Sequence, residues 1–200
     1  MTGYRWASTA RLVADRVIGI VRGPDASTAL DHARRLTAAG LGSVEISLTT
    51  PGALRAIEEA SKVGFVGAGT VLDGHQAAMT ISAGARFLVC PTLSEDVIRT
   101  AHRHGVPVVA GAATPTEIVQ ALEAGADLVK LFPASQFAPA DLKAIVQAVP
   151  HAPLVPTGGV SLASAASWLE AGAVAVGMGG ELVRTPEEEV RAFLTSLRTP

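Results

Sequence analysis

Lys130 stands in the run "GADLVKLFPAS", where an apolar stretch ends in a Phe-Pro turn. The chain has only three lysines, and the other two, Lys62 and Lys143, lie in helix-like, polar-flanked contexts. Lys130 is flanked by Leu128, Val129, Leu131 and Phe132. A buried ammonium is costly unless it is paired or used, because burial favours the neutral amine. A neutral amine adds to ketones. A second ionisable group, Glu45, stands in the similarly apolar run "SVEISL". Side chains alternate across a strand, so Val44, Ile46 and Leu48 share one face and Glu45 takes the other with Ser43 and Ser47. The same alternation puts Lys130 with Leu128 and Phe132, opposite Val129 and Leu131. The bland alternative is a buried ion pair that only fixes the core. Such pairs are poor stabilisers, because desolvation offsets much of the attraction.

The elements that would position these groups repeat along the chain. Short apolar runs at 17–21, 44–48, 65–68, 87–90, 106–110, 128–131, 154–156 and 174–177 read as strands. Helical patterns fall at 25–39, 51–62, 74–83, 94–104, 114–124, 138–149, 161–171 and 186–197. Thr114, Pro115 and Glu117 combine a cap, a first-turn proline and a carboxylate at the positive end of a helix. "AAG" at 38–40, "SAG" at 82–84 and "EAG" at 123–125 and 170–172 each end a helix just before a strand. Glycine there accepts the left-handed conformation that stops a helix. Eight strand–helix units of similar length imply parallel strands with crossover helices, which close into an α/β (β/α)8 TIM barrel. An open doubly wound sheet is the runner-up, but no Gly-x-Gly-x-x-Gly turn follows the first strand. Residues 1–200 read as one domain.

Active sites of such barrels lie at the C-terminal ends of the strands. Arg22 ends the first strand, Thr70 closes "GAGT" after the third, and Pro91 follows the fourth. Arg22 is a candidate carboxylate clamp, since guanidinium matches carboxylate bidentately, or else a solvated strand-end charge. Thr70 either donates to the same carboxylate or closes its own turn. Phe132 stands beside Lys130, and Thr157 opens "TGGV" after the seventh strand. Gly158 and Gly159 there, with Gly179 and Gly180 in "GMGGEL", stand where loops after strands 7 and 8 commonly hold phosphate. The scattered histidines, including His102 and His104 at one helix end, show no metal-ligand spacing, so no metal site is expected. Cys90 reads as a small core residue, and Trp6 and Trp168 as packing.

The bulk composition narrows the classes. The 200 residues are 48% hydrophobic and 17% charged, with a net charge of −2 and no basic block. Nucleic acid is therefore not an expected partner. No run is long enough to span a bilayer, and the N-terminus has no apolar signal core, so no membrane association is expected. A single cysteine rules out a disulfide framework and suits the cytoplasm. The apolar surplus belongs in the fold or in an oligomer interface.

"SVEISLTTPGALRAI", "VGAGTVLD", "FLVCPTLSEDVI", "GAATPTEIVQALEAGADLVKLFPAS" and "PTGGVS" together resemble the 2-keto-3-deoxy-6-phosphogluconate / 4-hydroxy-2-oxoglutarate aldolases. The resemblance runs from about Val17 to Leu182. It implies a (β/α)8 barrel, a homotrimer and a Schiff-base lysine at Lys130, with no cofactor beyond that covalent imine. It places the acid/base glutamate at Glu45, the pyruvate-contacting threonine at Thr70 and the phosphate glycines at Gly158, Gly159 and Gly179. The implied substrate is a phosphorylated keto-deoxy sugar acid, 2-keto-3-deoxy-6-phosphogluconate, cleaved to pyruvate and glyceraldehyde 3-phosphate, with 4-hydroxy-2-oxoglutarate, cleaved to pyruvate and glyoxylate, as a further substrate. Thr49 stands where gluconate-type members carry arginine, and Gly180 where serine is frequent. "GIVRGPD" and "FPASQFAPADLKAI" resemble the branch acting on the galactonate epimer, in which Arg22 matches the carboxylate-holding arginine. The alternatives are that epimer, a phosphate-binding barrel isomerase or transferase without imine chemistry, and a non-catalytic phosphosugar-binding relative.

Overall fold

The structure is a computed structural model describing residues 4–198. The outer residues of the 1–200 span lie outside the described residues. The chain opens with α1 (Arg5–Asp15) and β1 (Val17–Val21), then α2 (Ala26–Ala38), β2 (Ser43–Ser47), α3 (Ala53–Ser61) and β3 (Phe65–Gly69). It continues through α4 (Gly74–Ser82), β4 (Leu88–Val89), α5 (Glu95–Arg103), β5 (Val108–Ala112) and α6 (Pro115–Glu123). The last third holds β6 (Leu128–Leu131), a 3-10 turn (Ala134–Gln136), α7 (Pro139–Ala148), β7 (Leu154–Pro156) and α8 (Ala165–Glu170). β8 (Val176–Met178), α9 (Gly180–Arg184) and α10 (Glu187–Arg198) complete it.

The strands form one eight-stranded sheet in the order β7-β6-β5-β4-β3-β2-β1-β8. Neighbouring strands pair in parallel throughout. A parallel bridge between Thr157 and Gly177 joins the two edges, so the sheet nearly closes into the expected barrel. The apolar residues divide as alternation requires. Val44, Ile46, Val129 and Leu131 pack outward against the helices. Ile18, Phe65, Phe87, Val109, Leu128 and Val155 fill the interior as a separate cluster. The Phe65 and Phe87 rings stack at 5.3 Å, an arrangement favoured by the ring quadrupoles.

Local chemistry sets the helix ends. Asp25, Asp73, Ser94 and Thr114 accept from backbone N–H groups in the first turns of α2, α4, α5 and α6. Glu117 reciprocates by accepting from the Ala113 N–H and the Thr114 hydroxyl. Gly40, Gly84, Gly125 and Gly172 all have positive φ, as the repeated helix stops require.

Several expectations need correction. The strand read at 87–90 shrinks to Leu88–Val89, and those read at 106–110 and 174–177 begin two residues later. Apolarity marks burial, but only ladder pairing makes a strand. The helix read at 161–171 starts at Ala165, because Ser161 and Ser164 bond each other in a turn. α1 and α9 lie outside the expected units. α1 presents Leu12 to the barrel interior and closes the N-terminal end of the strands. Trp6 is not a packing residue: it is 70% exposed and stacks on Tyr4 at 6.0 Å. Trp168 is buried as read.

Candidate active site at the barrel rim

Glu45 lies on β2 opposite Ile20 and Gly67, and Lys130 on β6 opposite Gly111 and Val155. Both side chains are almost fully buried, at 3% and 7% exposure. Both open on one cleft of about 590 Å³ at the C-terminal ends of the strands. Glu45 makes no hydrogen bond or ion pair with any described residue within bonding distance. Among the described residues Lys130 forms no hydrogen bond or ion pair, and its Nζ lies 4.7 Å from the centroid of the Phe132 ring. The bland reading of a structural ion pair therefore fails on geometry. Burial pushes the Glu45 carboxyl above its ordinary range, and the charges of Lys130 and Arg22 only partly oppose this. A carboxyl tuned upward in this way is suited to general acid–base work.

Glycine makes the room for Glu45. A Cβ built on Gly69 would lie 2.5 Å from Glu45 Oε1, so even a methyl there would displace the carboxylate. Thr70 follows at φ 61°, where a β-branched residue is a rare outlier. Its hydroxyl is 2.9 Å from Ser47 Oγ, which is also 2.8 Å from the Thr49 hydroxyl. Such strain persists only when the surroundings over-determine it, and it clusters at functional sites. Ser47 is fully buried, so this three-hydroxyl chain pins Thr70 from beneath the rim.

The structure brings every candidate site residue read from the sequence to this cleft. Arg22, Glu45, Thr70, Pro91, Lys130, Phe132 and Thr157 line it together with Gly158, Gly159, Gly179 and Gly180. Gly158 and Gly159 adopt φ of 83° and 100° in succession, a turn that other residues rarely enter. Sequence reasoning missed Ser161, Glu181 and Arg184, which line the same end of the cleft. The signal for Arg184 was its place four residues after Gly180, one helical turn on. Cys90 is buried, and burial pushes its thiol up to about 12, so it is no nucleophile at neutral pH. An apolar-walled cleft with one amine, one proton-active carboxyl, two guanidinium groups and two side-chain-free turns is equipped for covalent chemistry on a small anionic carbonyl compound.

A family model described as "Aldolase: KDPG and KHG aldolase" matches residues 9–192. The 2-dehydro-3-deoxy-6-phosphogalactonate aldolase of Escherichia coli is 37% identical over 193 residues, covering 91% of this chain and 94% of that protein. The 2-dehydro-3-deoxy-phosphogluconate aldolase of Treponema pallidum is 36% identical over 159 residues, covering 77% of this chain and 75% of that protein. Among solved structures, a KDPG aldolase from Legionella pneumophila, with pyruvate captured at low pH as a covalent carbinolamine, superposes with a TM-score of 0.83. It is 26% identical, covering 95% of this chain and 97% of that one.

Proposed function

Because this chain belongs to the KDPG and KHG aldolase family, we propose that it is a Schiff-base aldolase whose imine forms on Lys130. The substrate class is a 2-keto-3-deoxy-6-phospho sugar acid, cleaved to pyruvate and glyceraldehyde 3-phosphate. The observation that carries this is the pair of buried groups, Lys130 and Glu45, open to one cleft and bound to no protein partner of opposite charge. The carbinolamine of the Legionella relative supports it, since that species precedes an imine.

The steps follow from the residues. The Lys130 amine adds to the C2 ketone, and loss of water gives an iminium that draws electrons from the C3–C4 bond. Glu45, with its raised proton affinity, takes the C4 hydroxyl proton as that bond breaks. The aldehyde departs, and the nitrogen lone pair stands conjugated in an enamine. Glu45 returns a proton to C3, and water then releases pyruvate and the free amine. Arg22 and Thr70 hold the C1 carboxylate, Pro91, Phe132 and Thr157 wall the reacting carbons, and the glycine turns receive the phosphate. No cofactor or metal enters these steps.

Coverage favours the galactonate epimer, because the relative named for it matches over nearly all of both chains. Thr49 supports this reading, for its hydroxyl is held by Ser47 and carries no charge toward the substrate. The gluconate epimer is the second reading, supported by the Treponema relative. The family reading further implies a homotrimer in the cytoplasm, serving galactonate breakdown or the Entner–Doudoroff pathway. An apolar groove of Leu48, Pro51, Leu54 and Met79 offers surface for a subunit contact.

Borohydride reduction with pyruvate tests the core of the proposal. A pyruvate adduct mapped to Lys130 is the expected result. An unmodified Lys130 in folded protein would sink the imine. Cleavage rates on the two C4 epimers then decide the stereochemistry.

A further inference from the structure

Thr70 stands in the cleft in a backbone conformation that its β-branched side chain disfavours, so its surroundings must hold it there. The support comes from Ser47 at the end of β2, the strand paired with β3. Ser47 is fully buried and shares the face of β2 that carries Glu45. Its Oγ lies 2.9 Å from the Thr70 hydroxyl and 2.8 Å from the Thr49 hydroxyl. The same Oγ accepts from the Thr49 N–H at 3.3 Å. That last bond alone would close the local turn. The bond to Thr70 crosses to another strand and ends on a residue of the cleft wall.

Counting protons gives the chain of hydroxyls a direction. A hydroxyl has one proton to donate and two lone pairs to accept with. The Thr49 N–H occupies one lone pair of Ser47 Oγ. One lone pair and one proton remain for the two neighbouring hydroxyls, so one of them donates to Ser47 and the other accepts from it. If Thr70 donates to Ser47, it has no proton left for the cleft. If Thr49 donates to Ser47 and Ser47 to Thr70, the Thr70 proton is free to point into the cleft. A carboxylate only accepts. Its arrival therefore selects the second arrangement, in which Ser47 and Thr70 each donate and accept. Hydrogen bonds in such a chain strengthen one another, because each donor is polarised by the one behind it.

We propose that Ser47 is a positioning residue for substrate binding, with Thr49 behind it, and that the two aim and polarise the Thr70 hydroxyl as a donor to the carboxylate of a 2-oxo acid. Ser47 touches no substrate and acts through Thr70. The identity of the ligand rests on the aldolase reading above, whereas the hydroxyl chain stands on its own geometry.

The test is a double-mutant cycle on pyruvate binding, read as the pyruvate concentration that half-saturates borohydride trapping at Lys130. Thr70→Val removes the donor and is expected to raise that concentration about 10–100-fold, the range for losing a hydrogen bond to a charged group. Ser47→Ala is expected to raise it about tenfold, the lower end of the same range. The double variant is expected to bind no more weakly than Thr70→Val alone, since Ser47 reaches the ligand only through Thr70. Additive losses overturn the proposal, and so does a folded Ser47→Ala within about twofold of wild type. In cleavage of the sugar acid, the Ser47→Ala loss is expected in KM more than in kcat; a loss in kcat alone marks a general disturbance of the site and overturns the proposal. Thr49 is exposed, so its variants leave the core intact. Thr49→Val is expected to weaken pyruvate by less than Ser47→Ala does, and Thr49→Ser, which keeps the hydroxyl, to restore it. Equal values in wild type and Thr49→Val overturn the directed chain. The effect of pyruvate on Tm separates this proposal from the aldolase reading. A wild type that yields no adduct sinks the aldolase; if pyruvate still raises its Tm and loses that effect in Ser47→Ala, the hydroxyl chain stands. If pyruvate raises no Tm in that wild type, the hydroxyl chain falls as well.

Discussion

The two ends of this barrel use the same residue types to opposite effect. At the N-terminal floor, Asp127 is saturated. It accepts from Arg5 at 2.9 Å, from the Val108 N–H at 3.0 Å, and lies 3.0 Å from His102 Nε2. Asp15 of α1 accepts from Ser43 of β2, and Leu12 closes the interior. At the C-terminal rim, Glu45, Lys130, Arg22 and Arg184 share one continuous opening, and none is neutralised by an ion pair within the described residues. The floor satisfies its polar groups and so contributes stability. The rim leaves them unsatisfied, a condition that persists only because the surrounding barrel is rigid.

Substitutions sharpen the contrast. Lys130→Ala, at the rim, is expected to abolish turnover and the pyruvate adduct while the protein stays folded; near-normal cleavage would rule out the imine. Glu45→Gln is expected to retain the adduct and lose roughly 10²–10⁴ in kcat, the usual value of a general acid–base step. It also carries a pH signature. The folded carboxyl titrates above its unfolded counterpart, so its contribution to stability is full below the ordinary carboxylate range and fades as pH rises through the raised value. Glu45→Gln removes that loss, so its Tm advantage over wild type is expected to widen from acid to neutral pH. A constant gap across that window would contradict the raised carboxyl.

Gly69→Ala tests the positioning of Glu45. The new methyl meets the far end of that side chain, so kcat is expected to fall about tenfold or more with little change in Tm. A large Tm loss with normal kcat would show that Gly69 serves packing instead. The floor answers in reverse. Asp127→Ala strands Arg5, His102 and the Val108 amide, and is expected to cost about 1–3 kcal/mol in denaturant unfolding while kcat stays near wild type. A matching loss of kcat would erase the distinction between the two ends.

Much of this was legible in the chain. β1, β6 and β7 fall where the apolar runs predict, and the helix-stop glycines all carry the positive φ expected of them. Lys130 and Glu45 were legible because each interrupts an apolar run at a position that alternation turns inward. α1 was missed because its polar residues hide one deeply buried contact, Leu12. α9 was missed because five residues carry too little periodicity to read, and Arg184 went unnoticed with it.

Pattern alone determined the parallel (β/α) order, the face on which each strand residue stands, and the residue types gathered at the strand ends. Those properties are local: they depend on periods of two and 3.6 residues and on glycine's tolerance of positive φ. Only the tertiary structure decided that Glu45 and Lys130 share a cleft without pairing, that Gly69 clears space for the carboxylate, and that the Ser47 hydroxyl meets Thr70. Those depend on strand register and barrel closure, which set distances between residues far apart in the chain and which no local period encodes.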